Sequence, residues 1–191
     1  MRVGLYFGSF NPIHHGHLII ANHVAQNTDL DQLWFVVSPQ NPLKPQTGML
    51  NEHQRLYLIK MAIEGEKKLR ATDVEFSLSK PSYTAHTLAF LEEKHRGNSW
   101  VIVMGSDSFQ NISRWKNHEH LLKHYSFYIY RRPGHEIGEP PAGASVSVLH
   151  APLLEISATH IRENVKAGRS IRYLVPDNVR EEIEKAGYYR K

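Results

Sequence analysis

The stretch GSFNPIHHGH, residues 8–17, determines the interpretation of the whole chain. It follows a short apolar run and leads into HLIIANHVAQ, which has a helical pattern. It is therefore expected to connect a strand to a helix at the carboxyl end of the first strand, where open α/β sheets bind their ligands. Helix N-termini carry free N–H groups and partial positive charge, which favour phosphate. We expect His14 and His17, which bracket Gly16 on one side of the turn, to face a phosphate, and His15 to point elsewhere.

Short apolar runs alternate with helical patterns along the rest of the chain. Runs rich in β-branched and aromatic residues predict strands at 3–7, 33–38, 100–105, 126–130 and 145–149. Continuous apolar runs are typical of parallel strands covered on both faces. The alternation predicts an α/β fold with a doubly wound, mainly parallel sheet and helices on both faces, in a single domain over 1–191.

Two helices have recognisable ends. The pattern predicts one helix over 83–95. Near the end of the chain, Asp177 is expected to cap a helix whose Val179, Ile183 and Ala186 form one apolar stripe.

The composition limits the classes of protein. With 41% hydrophobic and 22% charged residues over 191 positions, the chain has an ordinary globular composition. The absence of cysteine excludes disulfides, thiolate zinc sites and a cysteine nucleophile. We see no long apolar segment and no leader at Met1, which favours a cytoplasmic protein without a membrane partner. The net charge of +4 suits an anionic ligand, but scattered basic residues argue against a nucleic-acid partner.

Three further stretches carry residues suited to a nucleotide. In EISATHIR, Ser157 is expected to cap the helix that follows, and Arg162 supplies a planar fork of donors for phosphate. In SPQNPLKP, Lys44 lies in a proline-rich loop after the second strand. In GSDSF, Asp107 follows another strand, where its carboxylate either binds ribose hydroxyls or caps the next helix.

GSFNPIHHGH resembles the HxGH signature of the nucleotidyltransferase α/β superfamily, and EISATHIR resembles its second signature. This resemblance implies a Rossmann-like nucleotidyltransferase fold in which the histidines contact the phosphates of a nucleoside triphosphate. PSYTAHTL, ISRWKNHEHLL and YRRPG, in the expected order, are similar to stretches of the bacterial nicotinate-nucleotide adenylyltransferase family. The resemblance covers most of the chain. It implies an enzyme of NAD biosynthesis that joins ATP and nicotinate mononucleotide into nicotinic acid adenine dinucleotide and releases pyrophosphate.

The resemblance also implies overlapping sets of site residues. The residues expected to be catalytic are His14, His17, Lys44 and Arg162. Those expected to bind ATP are Gly8, Ser9, Phe10, His14, His17, Gly105, Asp107, Ile156, Ser157, Thr159 and Arg162. Those expected to bind nicotinate mononucleotide are Ser9, Asn41, Lys44, Tyr83, Thr84, Trp115, Lys116 and Arg132. Trp115 is expected to stack on the pyridine ring. No residue is expected to ligate a metal ion, and Mg²⁺ is expected to arrive with ATP, held by phosphate oxygens and water.

Several questions stay open at the level of sequence. Asn11 stands where many relatives have aspartate, and Ala158 where a second serine is usual, and the loop 134–144 matches no pattern. Within the superfamily, nicotinamide mononucleotide and phosphopantetheine are alternative acceptors. From other classes, a histidine-rich metal-binding protein and an RNA-binding module are the alternatives. A homo-oligomer is also left open.

Overall fold

A computed structural model describes residues 1–40, 48–152 and 154–190 of the 191-residue chain. Its strands are β1 (Arg2–Gly8), β2 (Gln32–Val37), β3 (Leu69–Thr72), β4 (Ser99–Gly105), β5 (Ser126–Tyr130) and β6 (Ser145–Leu149). They form one parallel sheet in the order β3-β2-β1-β4-β5-β6. This is a doubly wound order, in which the chain changes direction across the sheet between β1 and β4. The predicted fold class is confirmed.

The helices connect the strands and close the chain after β6. They are α1 (His15–Asn27), α2 (Glu52–Ala62), α3 (Thr84–Lys94), α4 (Ser106–Phe109), α5 (His118–His124), α6 (Ala158–Lys166) and α7 (Asp177–Ala186). Two 3₁₀ turns lie at Val74–Ser77 and Ile112–Arg114. The helix predicted over 83–95 is α3 with its two cap residues. Within the described ranges, no helix is long and apolar enough to cross a membrane.

Both faces of the sheet are buried, because successive side chains of each central strand enter different cores. In β4, Trp100, Ile102 and Met104 pack with α3 and α5, whereas Val101 and Val103 pack with α1, α2, α6 and α7. Burying a large apolar side chain contributes about 1.5–3 kcal/mol, so covering both faces explains why these strands are apolar throughout.

Three local predictions need correction. The strand β3 was missed because it is a four-residue edge strand with an arginine in it, and edge strands are commonly short and charged. Asp177 does not cap α7: Pro176 holds the N-cap position, and the Asp177 carboxylate lies 3.4 Å from Nε of Arg180. Ala186 is exposed, so the apolar stripe of α7 ends at Ile183.

Candidate active site

Three adjoining cavities open at the carboxyl ends of β1, β4 and β5. Their volumes are about 370, 390 and 320 Å³, and we call them the first, second and third cavities in that order. Tyr6, Gly8 and Tyr130 line both the first and the second, and Asp107 lies in the walls of all three. The cavities therefore form one groove. The first cavity is one half of this groove, and the second and third cavities are the other half. The two halves share a wall, and each has room for part of a ligand.

The histidines that bracket Gly16 lie together where α1 begins. His14 is the N-cap residue, and its Nδ1 accepts the backbone N–H of His17 at 3.4 Å. The two rings stack with their centroids 3.7 Å apart, and both line the second and third cavities. Burial, aided by the charge of Arg132, lowers the pKa of His14 to about 4. Because Nδ1 accepts a hydrogen bond, the proton of this neutral ring lies on Nε2, which makes His14 an uncharged donor at pH 7.

The loop before α1 is strained and tightly packed. Phe10 is 2% exposed and has a φ of 46°, a conformation that a bulky residue rarely adopts. Its ring lies edge-on to that of His17, with centroids 5.0 Å apart. A Cβ on Gly8 would lie 2.7 Å from the Phe10 ring, so only glycine fits there. Strain of this kind is typical of functional sites, and here it occurs in a residue whose ring packs against that of His17.

The start of α6 forms the opposite side of the second cavity. Ser157 caps this helix as predicted, with its Oγ accepting the N–H of His160 at 3.1 Å. Arg162 donates from Nη1 to the carbonyl oxygen of Asn11 at 2.8 Å and from Nη2 to Oγ1 of Thr159 at 3.3 Å. The guanidinium thus joins the first loop to α6 and lines the second cavity.

The first cavity has a different chemistry. Tyr83, Thr84, Trp115 and Lys116 line it, and the Lys116 ammonium lies 4.7 Å from the centroid of the Tyr83 ring. Tyr83 is the N-cap residue of α3, and no side chain of the described residues caps this helix. The free N–H groups and positive end of α3 therefore adjoin an aromatic cavity.

Asp107 joins the halves of the groove. Its Oδ1 lies 3.4 Å from Nε of Arg132, and the Arg132 backbone N–H donates to Oγ of Ser106 at 2.9 Å. A Cβ on Gly105 would collide with the Asp107 carboxylate, so only a glycine at position 105 lets the carboxylate keep this position. Asp107 makes no capping hydrogen bond to α4, so the capping alternative for this residue is wrong.

Most of the residues expected to bind ATP lie together. Those lining the second cavity are Gly8, Ser9, Phe10, His14, His17, Asp107, Ile156, Ser157, Thr159 and Arg162. Gly105 lines the first cavity instead. Of the residues expected to bind the mononucleotide, Arg132 and Ser9 lie on the second cavity, away from the four that line the first. Asn41 and Lys44 lie outside the described residues.

Several groups around the groove were not predicted from the sequence. Tyr6 and Tyr130 form part of the shared wall with their hydroxyl oxygens 3.2 Å apart, and burial raises the pKa of Tyr6. Glu75 is 2% exposed, accepts the Thr87 hydroxyl at 2.7 Å and lines the first cavity. Burial raises the pKa of its carboxyl. Arg55 is fully buried behind the groove. Of these residues, only Arg55 could have been found from the sequence, because it places a charge on the apolar face of a predicted helix.

The described part of the chain holds no group of three or more histidine or acidic side chains placed to bind a metal ion. The histidine-rich metal-binding alternative therefore has no support from these residues.

The sequence has relatives along its whole length. Residues 5–164 match the cytidylyltransferase-like family. Over 189 residues the chain is 50% identical to a "probable nicotinate-nucleotide adenylyltransferase" of Cytophaga hutchinsonii, covering 99% of this chain and 98% of the relative. The chain belongs to the nicotinate-nucleotide adenylyltransferase family. A relative of the same name from Bacteroides thetaiotaomicron is 38% identical over 183 residues, 96% of this chain and 91% of the relative.

Solved structures agree with this family at the level of the fold. The structure described as Plasmodium falciparum nicotinic acid mononucleotide adenylyltransferase complexed with NaAD matches with a TM-score of 0.83. The match covers 99% of this chain and 97% of that one at 21% identity. The Rossmann-like nucleotidyltransferase fold that the resemblance implied is therefore confirmed for this member of the nicotinate-nucleotide adenylyltransferase family.

Proposed function

We propose that the chain transfers the adenylyl group of ATP to nicotinate mononucleotide, giving nicotinic acid adenine dinucleotide and pyrophosphate in NAD biosynthesis. The observation that carries this proposal is the division of the groove into two unlike halves that meet at Asp107. One half combines two helix N-termini with histidine and arginine donors, and the other is aromatic with one helix N-terminus. Two anionic nucleotides, one in each half, would bring their phosphates together at the shared wall. Membership of the family supports the same reaction.

The reaction needs little acid–base chemistry. A phosphate monoester has a second pKa of about 6, so the acceptor phosphate is largely a dianion at neutral pH. One of its oxygens attacks the α-phosphorus of ATP, and the bond to pyrophosphate breaks as the new P–O bond forms. No proton has to move. The protein has to align two anions and stabilise the charge on the transferred group, which suits a site of fixed donors.

The ATP half would use three kinds of donor. Neutral His14 donates one N–H, His17 stacks beside it, and Arg162 adds its planar fork, all facing the triphosphate. The amides at the start of α6, where Ser157 is the cap, would meet the same phosphates. Asp107 would accept the ribose hydroxyls. Lys44 keeps its proposed catalytic role as a prediction from the sequence alone.

The acceptor half supports the acid over the amide as the proposed acceptor. Trp115 is half-buried and offers an indole face to the pyridine ring. A carboxylate on that ring would meet the positive end of α3 and the Lys116 ammonium, whereas a neutral amide would gain less from both. Nicotinate mononucleotide is therefore the acceptor we propose, over nicotinamide mononucleotide.

Mg²⁺ belongs to this reaction as part of the ATP substrate. Asp107 is the one carboxylate of the described residues in the wall of the second cavity. A single carboxylate suits an ion held mainly by phosphate oxygens and water.

The test is pyrophosphate release from ATP and Mg²⁺ with nicotinate mononucleotide, nicotinamide mononucleotide or phosphopantetheine as acceptor. We expect strong turnover with the first alone. A preference for nicotinamide mononucleotide would contradict the proposed role of the first cavity but would still be adenylyl transfer. A preference for phosphopantetheine would move the chain to another branch of the superfamily, and no turnover with any acceptor would refute the proposal.

A further inference from the structure

Arg55, in α2, is a buried cation that has no ion pair with a carboxylate among the described residues. Its side chain is 0% exposed, and burial lowers the pKa of its guanidinium. Removing such a group from water is unfavourable unless hydrogen bonds replace the lost hydration. A cation buried directly behind the groove needs an explanation beyond packing.

The guanidinium is satisfied by backbone carbonyl groups from three separate segments. Nη1 donates to the carbonyl oxygens of Ser9 at 2.6 Å and Ser38 at 3.0 Å, and Nε donates to that of Leu50 at 2.9 Å. Ser9 follows β1, Ser38 follows β2 and Leu50 precedes α2. A rigid planar fork can serve three acceptors at once, which the point charge of a lysine cannot do in the same geometry.

These segments border different halves of the groove. Ser9 lines the second cavity and Ser38 lines the first. The third segment is also linked to the loop before α1, because the N–H of Leu50 donates to Oδ1 of Asn11 at 3.1 Å. The carbonyl oxygen of Asn11 in turn accepts from Arg162. One side chain thus fixes the ends of two neighbouring strands relative to each other and to a donor expected to bind phosphate.

We propose that Arg55 is a positioning residue for adenylyl transfer, which sets the spacing between the two cavities so that the phosphates of the two nucleotides meet. This inference rests on the proposed function. Aligning two reactants can supply a large part of a rate enhancement, and a misplacement of about 1 Å can cost about a hundredfold. Its loss should therefore lower turnover more than the binding of either nucleotide alone.

The experiment compares Arg55→Lys and Arg55→Gln with the wild type. Arg55→Lys keeps the positive charge and loses the fork, so it separates positioning from a general electrostatic effect. The control is Arg190→Lys, because Arg190 also donates to a backbone carbonyl, that of Glu184 at 2.9 Å, but is exposed and does not line the three cavities. For each protein, kcat, both KM values, the Kd of a non-hydrolysable ATP analogue and the thermal unfolding midpoint are measured.

We expect both Arg55 variants to fold, to lose at least about tenfold in kcat and to bind the analogue within about threefold of the wild type. Arg190→Lys should retain wild-type kinetics. A folded Arg55→Lys protein with kcat within about twofold of the wild type would overturn the inference. So would a parallel loss of analogue binding, or failure of both variants to fold, because the guanidinium would then serve binding or the fold itself. An inactive wild type would instead refute the proposed function.

Discussion

Acid should destabilise the wild-type chain more than a His14→Gln variant. Burial lowers the pKa of His14 from its ordinary value of 6.5 to about 4. Between these pH values the unfolded chain binds a proton that the folded chain does not, so the free energy of unfolding falls as the pH falls. The linkage relation gives a loss of about 2 kcal/mol between pH 7 and pH 5 from this ring alone. A glutamine cannot titrate and therefore lacks this contribution.

The measurement is urea unfolding at pH 7 and pH 5, followed by the fluorescence of the three tryptophans. Glu75 acts in the opposite direction: burial raises its pKa, so its contribution is present at low pH and is lost as the pH rises through the folded value. This contribution is common to the wild type and His14→Gln, and it cancels in their difference. A glutamine at position 75 cannot titrate, so Glu75→Gln should lack this opposing contribution. If the wild type and His14→Gln lose stability equally, within about 0.5 kcal/mol, His14 is not a buried neutral ring.

Three substitutions test the groove itself. His17→Ala should lower turnover at least about tenfold, the order expected for losing a positioned donor, and a folded variant with normal steady-state rates would contradict its role. Trp115→Ala should raise the KM for nicotinate mononucleotide at least about fivefold, since stacking is worth about 1 kcal/mol beyond burial, and an unchanged KM would show that the ring does not bind this substrate. Gly105→Ala should weaken binding of an ATP analogue because the new Cβ displaces the Asp107 carboxylate. Its control is Gly138→Ala, where a Cβ meets nothing within 4 Å, and equal affinities of the two variants would show that this carboxylate does not hold ATP.

The sheet and the edge that carries the groove could be predicted because both produce local patterns in the sequence. An apolar run without alternation indicates a strand buried on both faces, and β1 and β4 are strands of this kind. A loop between a strand and a helix must lie at the carboxyl edge of the strand. The strand order could not be predicted, since the pairing of β1 with β4 joins segments about a hundred residues apart and leaves no local pattern.

Site residues could be predicted where their function coincides with a local structural role. Ser157 is an example, because a serine before a helical pattern caps the helix whatever the helix binds. Glu75 and Arg55 are different, since their burial is created by contacts with segments distant in the sequence. For Arg55 a signal did exist: it lies four residues before Ile59 and therefore on the same helical face, where a charge requires a buried partner. Glu75 lies in a 3₁₀ turn without any pattern.

Asn11 stands where the family resemblance leads us to expect aspartate, and its hydrogen bonds show what an amide does at this position. Its Oδ1 accepts the Leu50 N–H at 3.1 Å and the Tyr189 hydroxyl at 2.8 Å, while its Nδ2 donates to the carbonyl oxygen of Gly48 at 3.2 Å. A carboxylate could accept the first two hydrogen bonds but could not make the third. Because the amide carries no charge, Asn11 adds no anion beside Arg162, whose Nη1 donates to the Asn11 carbonyl oxygen. In a groove proposed to hold two anionic nucleotides, we expect an amide at this position to oppose phosphate binding less than a carboxylate would.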